Sequence, residues 1–287
     1  MLFSMKIKIC LFLLLISVRG WGSPLGIRGI WNSDHRKDIY ELKDKNIVGL
    51  ADSTLAMIPR SDFLDFGFKQ MIEPRRLGND LKLCSGERFR DQTDYASCSA
   101  TLVSDDLILT AGHCLTEEEC QNNEFAFVFG YELSSAKDHV AEFQTSEVYS
   151  CKQILKQVDT EALDYSIIQL DRPVKNHNPV KIALKNAAVG QSVYILGYPS
   201  GLPLKYSGPA KIQFQSKEYF SARLDGFAGN SGSGVFSSES NELVGIFVRG
   251  DDDYDLDKVH NCQRVHKCSE PDCTGEEVTN IEAIFDP

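Results

Sequence analysis

From about residue 80 onward the chain alternates short apolar, β-branched runs with turn residues. "SATLV", "LILTAG", "FAFVFGYEL", "EFQTSEVY", "YSIIQL", "QSVYILGY", "AKIQFQ", "YFSARL", "SGVFS" and "ELVGIFV" are each of strand length and bounded by Gly, Pro, Asn, Asp or Ser. Apolar positions at sustained helical spacing are scarce. Many short strands of this kind predict an all-β chain, as a sandwich or as closed barrels. The proline-containing link "DRPVKNHNPVKIALKNAAVG" splits the runs into two sets near residues 172–190. No repeat with a period of roughly 20 to 50 residues is present. The earlier stretch to about residue 80, with "DHRKDIYELKDKN" and "STLAMIPRSDF", reads as a polar segment or propeptide wrapping the outside of a core.

The first residues, "MLFSMKIKICLFLLLISVRGWGS", join two lysines, an apolar run from Ile9 to Val18 and small residues at Gly20 and Gly22. That is the pattern of a secretory signal peptide over residues 1–22, too short to span a bilayer. Cysteine usage agrees with export to a secreted or periplasmic location. Of nine cysteines, Cys10 leaves with the signal, and eight remain to pair in an oxidising compartment. A zinc site is the rival reading, but no C-x-x-C pair occurs, and "CQRVHKCSEPDC" offers a single histidine at awkward spacing. Hydrophobic residues at 42% and charged residues at 25% are ordinary globular usage. A net charge of -11 without a basic stripe excludes a nucleic-acid binder and makes stable membrane association unexpected.

Three short stretches carry chemistry. A serine hydroxyl is a poor nucleophile at neutral pH; it needs an imidazole base, and the imidazole needs a carboxylate to hold its tautomer. "LTAGHC" places His113 just after an apolar strand, "LDYSIIQLD" places Asp164 at the mouth of another, and "GNSGSG", residues 229–234, centres Ser231 in a glycine turn. Singly, each has a plain reading as a surface histidine, a turn former or a loop. Their order is more telling.

"CSATLVSDDLILTAGHC", "DYSIIQL" and "GNSGSGVF", in this order, resemble the three signature blocks of chymotrypsin-like serine peptidases over about residues 84–250. "GNSGS" and "GYPSGLPLKYSG" are more similar to the bacterial secreted branch, which includes glutamyl endopeptidases, than to animal digestive enzymes. The resemblance implies two antiparallel six-stranded β-barrels with the site at their junction, the first over about residues 81–178 and the second over about 179–287. It implies His113 as general base, Asp164 as its orienting partner, Ser231 as nucleophile, and an oxyanion hole made by the N–H groups of Gly229 and Ser231. It also implies a disulfide between Cys98 and Cys114, protein or peptide substrates, no cofactor or metal, and a monomer. The other six cysteines admit 15 connectivities, with Cys120 to Cys151, and Cys84 to one of Cys262, Cys268 and Cys273, preferred.

Departures from the animal pattern bear on activation and specificity. Asn230 stands where an acid pairs with a newly cut N-terminus, so that switch is not expected, and Arg28, Arg36 and Lys37 are candidate processing points. Asp225, six residues before Ser231, matches the acid that receives Arg or Lys side chains, and "GIFVRG" supplies a wall with Val248, Arg249 and Gly250 as substrate-binding residues. Cleavage after basic residues follows if Asp225 faces the pocket; a structural role for the same residue stays open. Phe247 stands where glutamate specificity usually has a histidine. "DDDYDLD" at residues 251–257 is either a solvated acidic loop or, with Asp251, Asp253, Asp255 and Asp257, a calcium loop lacking the EF-hand glycine and closing glutamate. The reading is a secreted serine endopeptidase; the alternatives on the same fold are a non-catalytic binding or adhesion protein and an esterase.

Overall fold

The computed structural model describes residues 30–31, 33–250, 252–268, 273 and 275–285; the expected signal peptide, Arg28 and Asp251 lie outside them. The first barrel contains β1 (Thr54–Pro59), β2 (Cys98–Leu102), β3 (Leu107–Thr110), β4 (Phe125–Val128), β5 (Val148–Asp159) and β6 (Asp164–Leu170). These close in the ring order β5, β6, β3, β2, β1, β4. The second contains β7 (Ser192–Gly197), β8 (Lys205–Gln215), β9 (Tyr219–Ala222), β10 (Gly234–Ser237), β11 (Leu243–Arg249) and β12 (Glu276–Asn280). Their order is β7, β10, β11, β12, β9, β8, and the β7–β8 ladder closes the ring.

Each strand of the second barrel therefore has the same neighbours as the strand six places earlier, although the sequence carries no detectable repeat. Side-chain alternation builds each interior: Leu55, Met57, Ala100, Leu109, Phe127 and Ile168 fill the first barrel's cluster, and Val193, Ile195, Phe220, Val235, Phe247 and Val278 the second's. At the junction, Tyr198, just after β7, stacks on Tyr131 at 5.6 Å and donates its hydroxyl to the carbonyl of Thr54 at 3.2 Å. Two barrels thus share one aromatic seam.

The N-terminal part differs from expectation. Thr54–Pro59 lies within the segment expected to wrap the core, yet it pairs with both β2 and β4 as a wall of the first barrel. The first barrel therefore starts at residue 54, not near 81. Six residues flanked by polar stretches carry too short a pattern to read; Leu55, Ala56, Met57 and Ile58 are all fully buried because both faces of the strand are covered. Further upstream, Lys37–Asp38 adds a short strand to the outer edge of β8. Among the described residues no helix is long and apolar enough to cross a membrane.

Four disulfides pair all eight cysteines of the described chain: Cys98–Cys114, Cys120–Cys151, Cys84–Cys262 and Cys268–Cys273. Their loop lengths differ widely. Cys84–Cys262 closes 178 residues, whereas Cys268–Cys273 closes 5. On chain-entropy grounds the first constrains the unfolded state by about 5 kcal/mol and the second by about 2 kcal/mol. Paired serine replacements of each, followed by urea denaturation, are expected to show the larger loss for Cys84–Cys262; equal losses would contradict this ranking.

Candidate active site

Asp164 opens β6 with its carboxylate buried at 3% exposure. One oxygen, Oδ1, accepts the N–H groups of Gly112 at 2.6 Å and His113 at 3.3 Å; the other, Oδ2, takes Nδ1 of His113 at 2.7 Å. A carboxylate can only accept, so the imidazole carries its proton on Nδ1 and Nε2 is left as a base. Gly112 is required just before it, because a Cβ there would collide with the carbonyl of Val158. The Cys98–Cys114 bridge ties the residue after His113 to the start of β2.

Ser231 sits in a turn docked on those same strands. Ser99 of β2 donates its N–H to the carbonyl of Ser231 at 2.8 Å and its hydroxyl to the carbonyl of Gly229 at 2.7 Å. Thr110, the last residue of β3 and three before His113, donates its hydroxyl to the Ser99 carbonyl at 2.7 Å. Gly229 and Gly232 adopt φ of +87° and +83°, and a Cβ on Gly232 would run into Ser99 O and Thr110 Oγ1. The Ser231 turn and His113 thus leave from one strand pair.

The Ala228 carbonyl accepts the N–H of Ser200 at 2.5 Å, so the N–H of Gly229, on the same trans peptide, points the opposite way. Among the described residues neither the Gly229 nor the Ser231 N–H is used in a hydrogen bond. Ser233 is fully buried and donates to Asn230 Oδ1 at 3.2 Å.

The expected substrate-binding residues are not all gathered at this point. Asp225 is buried and turned to the N-terminal segment: Oδ1 accepts Trp31 N–H at 2.9 Å, and Oδ2 accepts His35 N–H at 2.7 Å and faces His35 Nδ1 at 3.0 Å. Burial raises its carboxyl above the ordinary range while these N–H bonds oppose the rise. It lines a hollow of about 280 Å³ with Trp31, His35, Gly208 and Arg223. Arg249 is folded back over Asp164, bonding the carbonyls of Thr160 at 3.0 Å and of Glu161, with its guanidinium 3.7 Å from Asp164 Oδ2. Val248 is buried and ends at Gly250 beyond β11.

Arg36, considered as a processing point, is fully buried instead. It pairs with Asp34 at 2.9 Å and lies 3.8 Å over the ring of Phe227, four residues before Ser231. Lys37 is exposed. No signal in the sequence marks this contact, because an arginine in a charged stretch reads as surface. The acidic loop is a hairpin, Tyr254–Asp257 on Cys262–Val265, whose carboxylates already have partners. Asp253 accepts the Ala228 N–H at 2.8 Å, Asp255 meets His266 at 2.7 Å, and Asp257 meets His260 and Arg264 at 2.8 Å each. That is a set of internal pairs, not a calcium cage. Clusters of histidine, cysteine and aspartate among the described residues contain disulfide-bonded cysteines, which offer no thiolate to zinc.

A cleft of about 290 Å³ opens beside the turn, lined by Ala228, Gly229, Ser200, Gly201, Ala96 and Asp94. Burial, aided by neighbouring Asp80 and opposed by Arg75, pushes the Asp94 carboxyl up to about 7. Its unfolded value is near 3.8. The folded state therefore holds a proton that the unfolded state has lost between those values, and stability falls as pH rises from about 4 to about 7. Asp94→Asn is expected to flatten that decline in melting temperature, and an unchanged slope would contradict it. Gly232→Ala is expected to lower activity at least about 100-fold, measured as kcat/KM, by displacing an oxyanion donor along with the nucleophile.

The fold is similar to that of a solved peptidase structure. A solved structure of a Glu endopeptidase in complex with MPD superposes with a TM-score of 0.51 at 15% identity, covering 89% of this chain and 95% of that one. An inactive form of the protease Rv3671c from M. tuberculosis gives a TM-score of 0.48 at 11% identity, over 91% of this chain and 93% of that chain. No curated protein matches in sequence. The model of the trypsin-like peptidase domain matches residues 98–246, a span that contains His113, Asp164 and Ser231. Since that span exceeds half of the 287 residues, the chain belongs to the trypsin-like peptidase family.

Proposed function

We propose that the protein is an exported serine endopeptidase in which Ser231, His113 and Asp164 form the triad. The observation that carries the reading is the 2.7 Å pairing of Asp164 Oδ2 with His113 Nδ1, made within three residues of the strand end on which the Ser231 turn is docked. Ser231 Oγ attacks the carbonyl carbon of a peptide bond while His113 Nε2 removes the hydroxyl proton. The charge that develops on the carbonyl oxygen is met by the N–H groups of Gly229 and Ser231. His113 then gives its proton to the leaving amine, and an acyl-enzyme remains. Water, deprotonated by the same nitrogen, attacks the ester and restores the serine. Asp164 keeps its charge throughout; it fixes the tautomer and stabilises the imidazolium.

Export is supported by the four disulfides, which persist in oxidising compartments and are rare elsewhere. No step requires a cofactor, and family membership supports protein or peptide substrates. The Gly229 N–H points away from the Ser200 contact made by the Ala228 carbonyl, which supports it as an oxyanion donor.

A fluorophosphonate probe provides the test. Folded protein is expected to label at a single site, labelling is expected to vanish in Ser231→Ala, and His113→Ala is expected to react about 10⁴-fold more slowly. Folded wild-type protein that fails to label would favour the non-catalytic binding protein. Cleavage of ester but not peptide panels would favour the esterase.

A further inference from the structure

We infer that Arg249 is a positioning residue for the reaction: from the second barrel it grips the turn that presents Asp164 and sets a permanent positive charge against the carboxylate that holds His113. The inference rests on the catalytic reading of His113 and Ser231 given above. Arg249 is the last residue of β11, and its side chain reaches across to the first barrel. The guanidinium bonds the carbonyls of Thr160, at 3.0 Å, and of Glu161. Both belong to the turn that joins β5 to β6. That turn closes on itself, Thr160 N–H donating to Leu163 O at 3.0 Å and Leu163 N–H to Thr160 Oγ1 at 3.1 Å, and Asp164 follows at once. Thr279 of β12 completes the grip, its hydroxyl donating to the Asp164 carbonyl at 2.7 Å. Two strands of the second barrel thus hold the backbone at and just before the acid.

Charge matters as well as grip. A guanidinium keeps its proton at any pH at which a protein stays folded. Its hydrogen bonds at Thr160 and Glu161 go to neutral carbonyls, and the positive charge is left between Asp164 Oδ2 and Glu277 Oε2, each 3.7 Å away. Glu277 is the cross-strand neighbour of Arg249 in β12. Asp164 Oδ2 is also the oxygen that takes His113 Nδ1 at 2.7 Å, so imidazole and guanidinium share one acceptor. A second positive charge, on the ring, is disfavoured by the first. Arg249 therefore keeps His113 available as a neutral base toward lower pH than the carboxylate and imidazole would manage by themselves.

Other charged groups nearby are placed less favourably to do this. Glu161, in the gripped turn, and Asp159, opposite Asp164 in the β5–β6 ladder, are exposed, so water and salt screen them, whereas the Asp164 carboxylate is buried. Lys156 of β5 is turned to the Tyr165 ring and the Ile284 carbonyl. The sequence reads Arg249 as a wall residue for substrate because it follows "GIFV". Its reach to Glu161, 88 residues upstream, is set only by the way the barrels meet.

The test reads one quantity in two ways. The fluorophosphonate labelling rate is followed against pH for wild type, Arg249→Met and Arg249→Lys, and the midpoint of its acid limb is taken. The His113 ring signal is titrated by NMR in the same three proteins carrying Ser231→Ala, where no turnover is needed; among the six histidines it is identified by its loss in His113→Gln. Arg249→Met keeps an apolar stem without the charge, and is expected to move both midpoints to higher pH by about one unit, tenfold in proton binding. Arg249→Lys keeps the charge, and is expected to restore most of that shift. An unchanged midpoint in Arg249→Met, a move to lower pH, or a lysine variant displaced as far as the methionine one overturns the inference. Should Arg249→Met fail to fold, Glu277→Gln takes its place: it leaves the guanidinium and strips an acid that offsets it, so both midpoints are expected to fall, and no move or a rise overturns the inference. Wild type that never labels, while its His113 titration responds to Arg249→Met, would remove the peptidase mechanism and leave the coupling standing.

Discussion

Ser99 is the joint on which the site depends. Fully buried in β2, it spends all of its polar groups at the meeting of the two barrels. Its hydroxyl donates to Gly229 O and accepts the Tyr198 N–H at 3.1 Å, its own N–H reaches Ser231 O, and its carbonyl receives Thr110 Oγ1. A strand of the first barrel is thereby bonded to the nucleophile turn and to the end of β7, both in the second. Removing any one partner would strand a buried polar group, which costs about 1–3 kcal/mol, so the set holds as a unit. The backbone positions of the Ser231 turn and of the strand end before His113 are then held together by main-chain groups, the stiffest part of the chain.

What the turn lacks in charge it gains from its surroundings. Asn230 is an amide and is itself buried, so no ion pair at that position anchors the loop. Instead the turn is held from several sides: Asp253 takes Ala228 N–H, Ser200 takes Ala228 O, Arg36 lies beneath Phe227, and Trp31 and His35 bind Asp225. These contacts come from residues far apart in sequence. Trp31, His35 and Arg36 strap the N-terminal segment to the second barrel. The hairpin that carries Asp253 is tied in turn to Cys84 through Cys262.

Much of this was legible in the chain, and the limit has a physical cause. Strand alternation disclosed most of the two barrels, and the glycines around Ser231 disclosed the turn, because their φ values and lack of a Cβ are local requirements. His113 and Asp164 were legible for the same reason: each sits at a strand end with a short motif. Thr54–Pro59 was missed because six residues among polar neighbours carry little pattern, and the long second half of β5 was missed because its burial is mixed. The position of Asp225 was read by spacing, but its direction is set by Trp31 and His35, which lie 194 and 190 residues away. Only long-range contacts decide where such a side chain points.

Two buried acids, Asp164 and Asp225, illustrate how partners, more than residue type, divide labour. Asp164 is bonded to two backbone N–H groups and an imidazole, so its orientation is fixed and it fixes that of the ring beside it. Asp225 faces backbone N–H groups from another segment, and such groups neither move nor titrate; that carboxylate serves as a rivet for the strap. The same carboxylate chemistry thus orients an imidazole in one place and fastens a segment in the other, according to what the fold has placed opposite each oxygen.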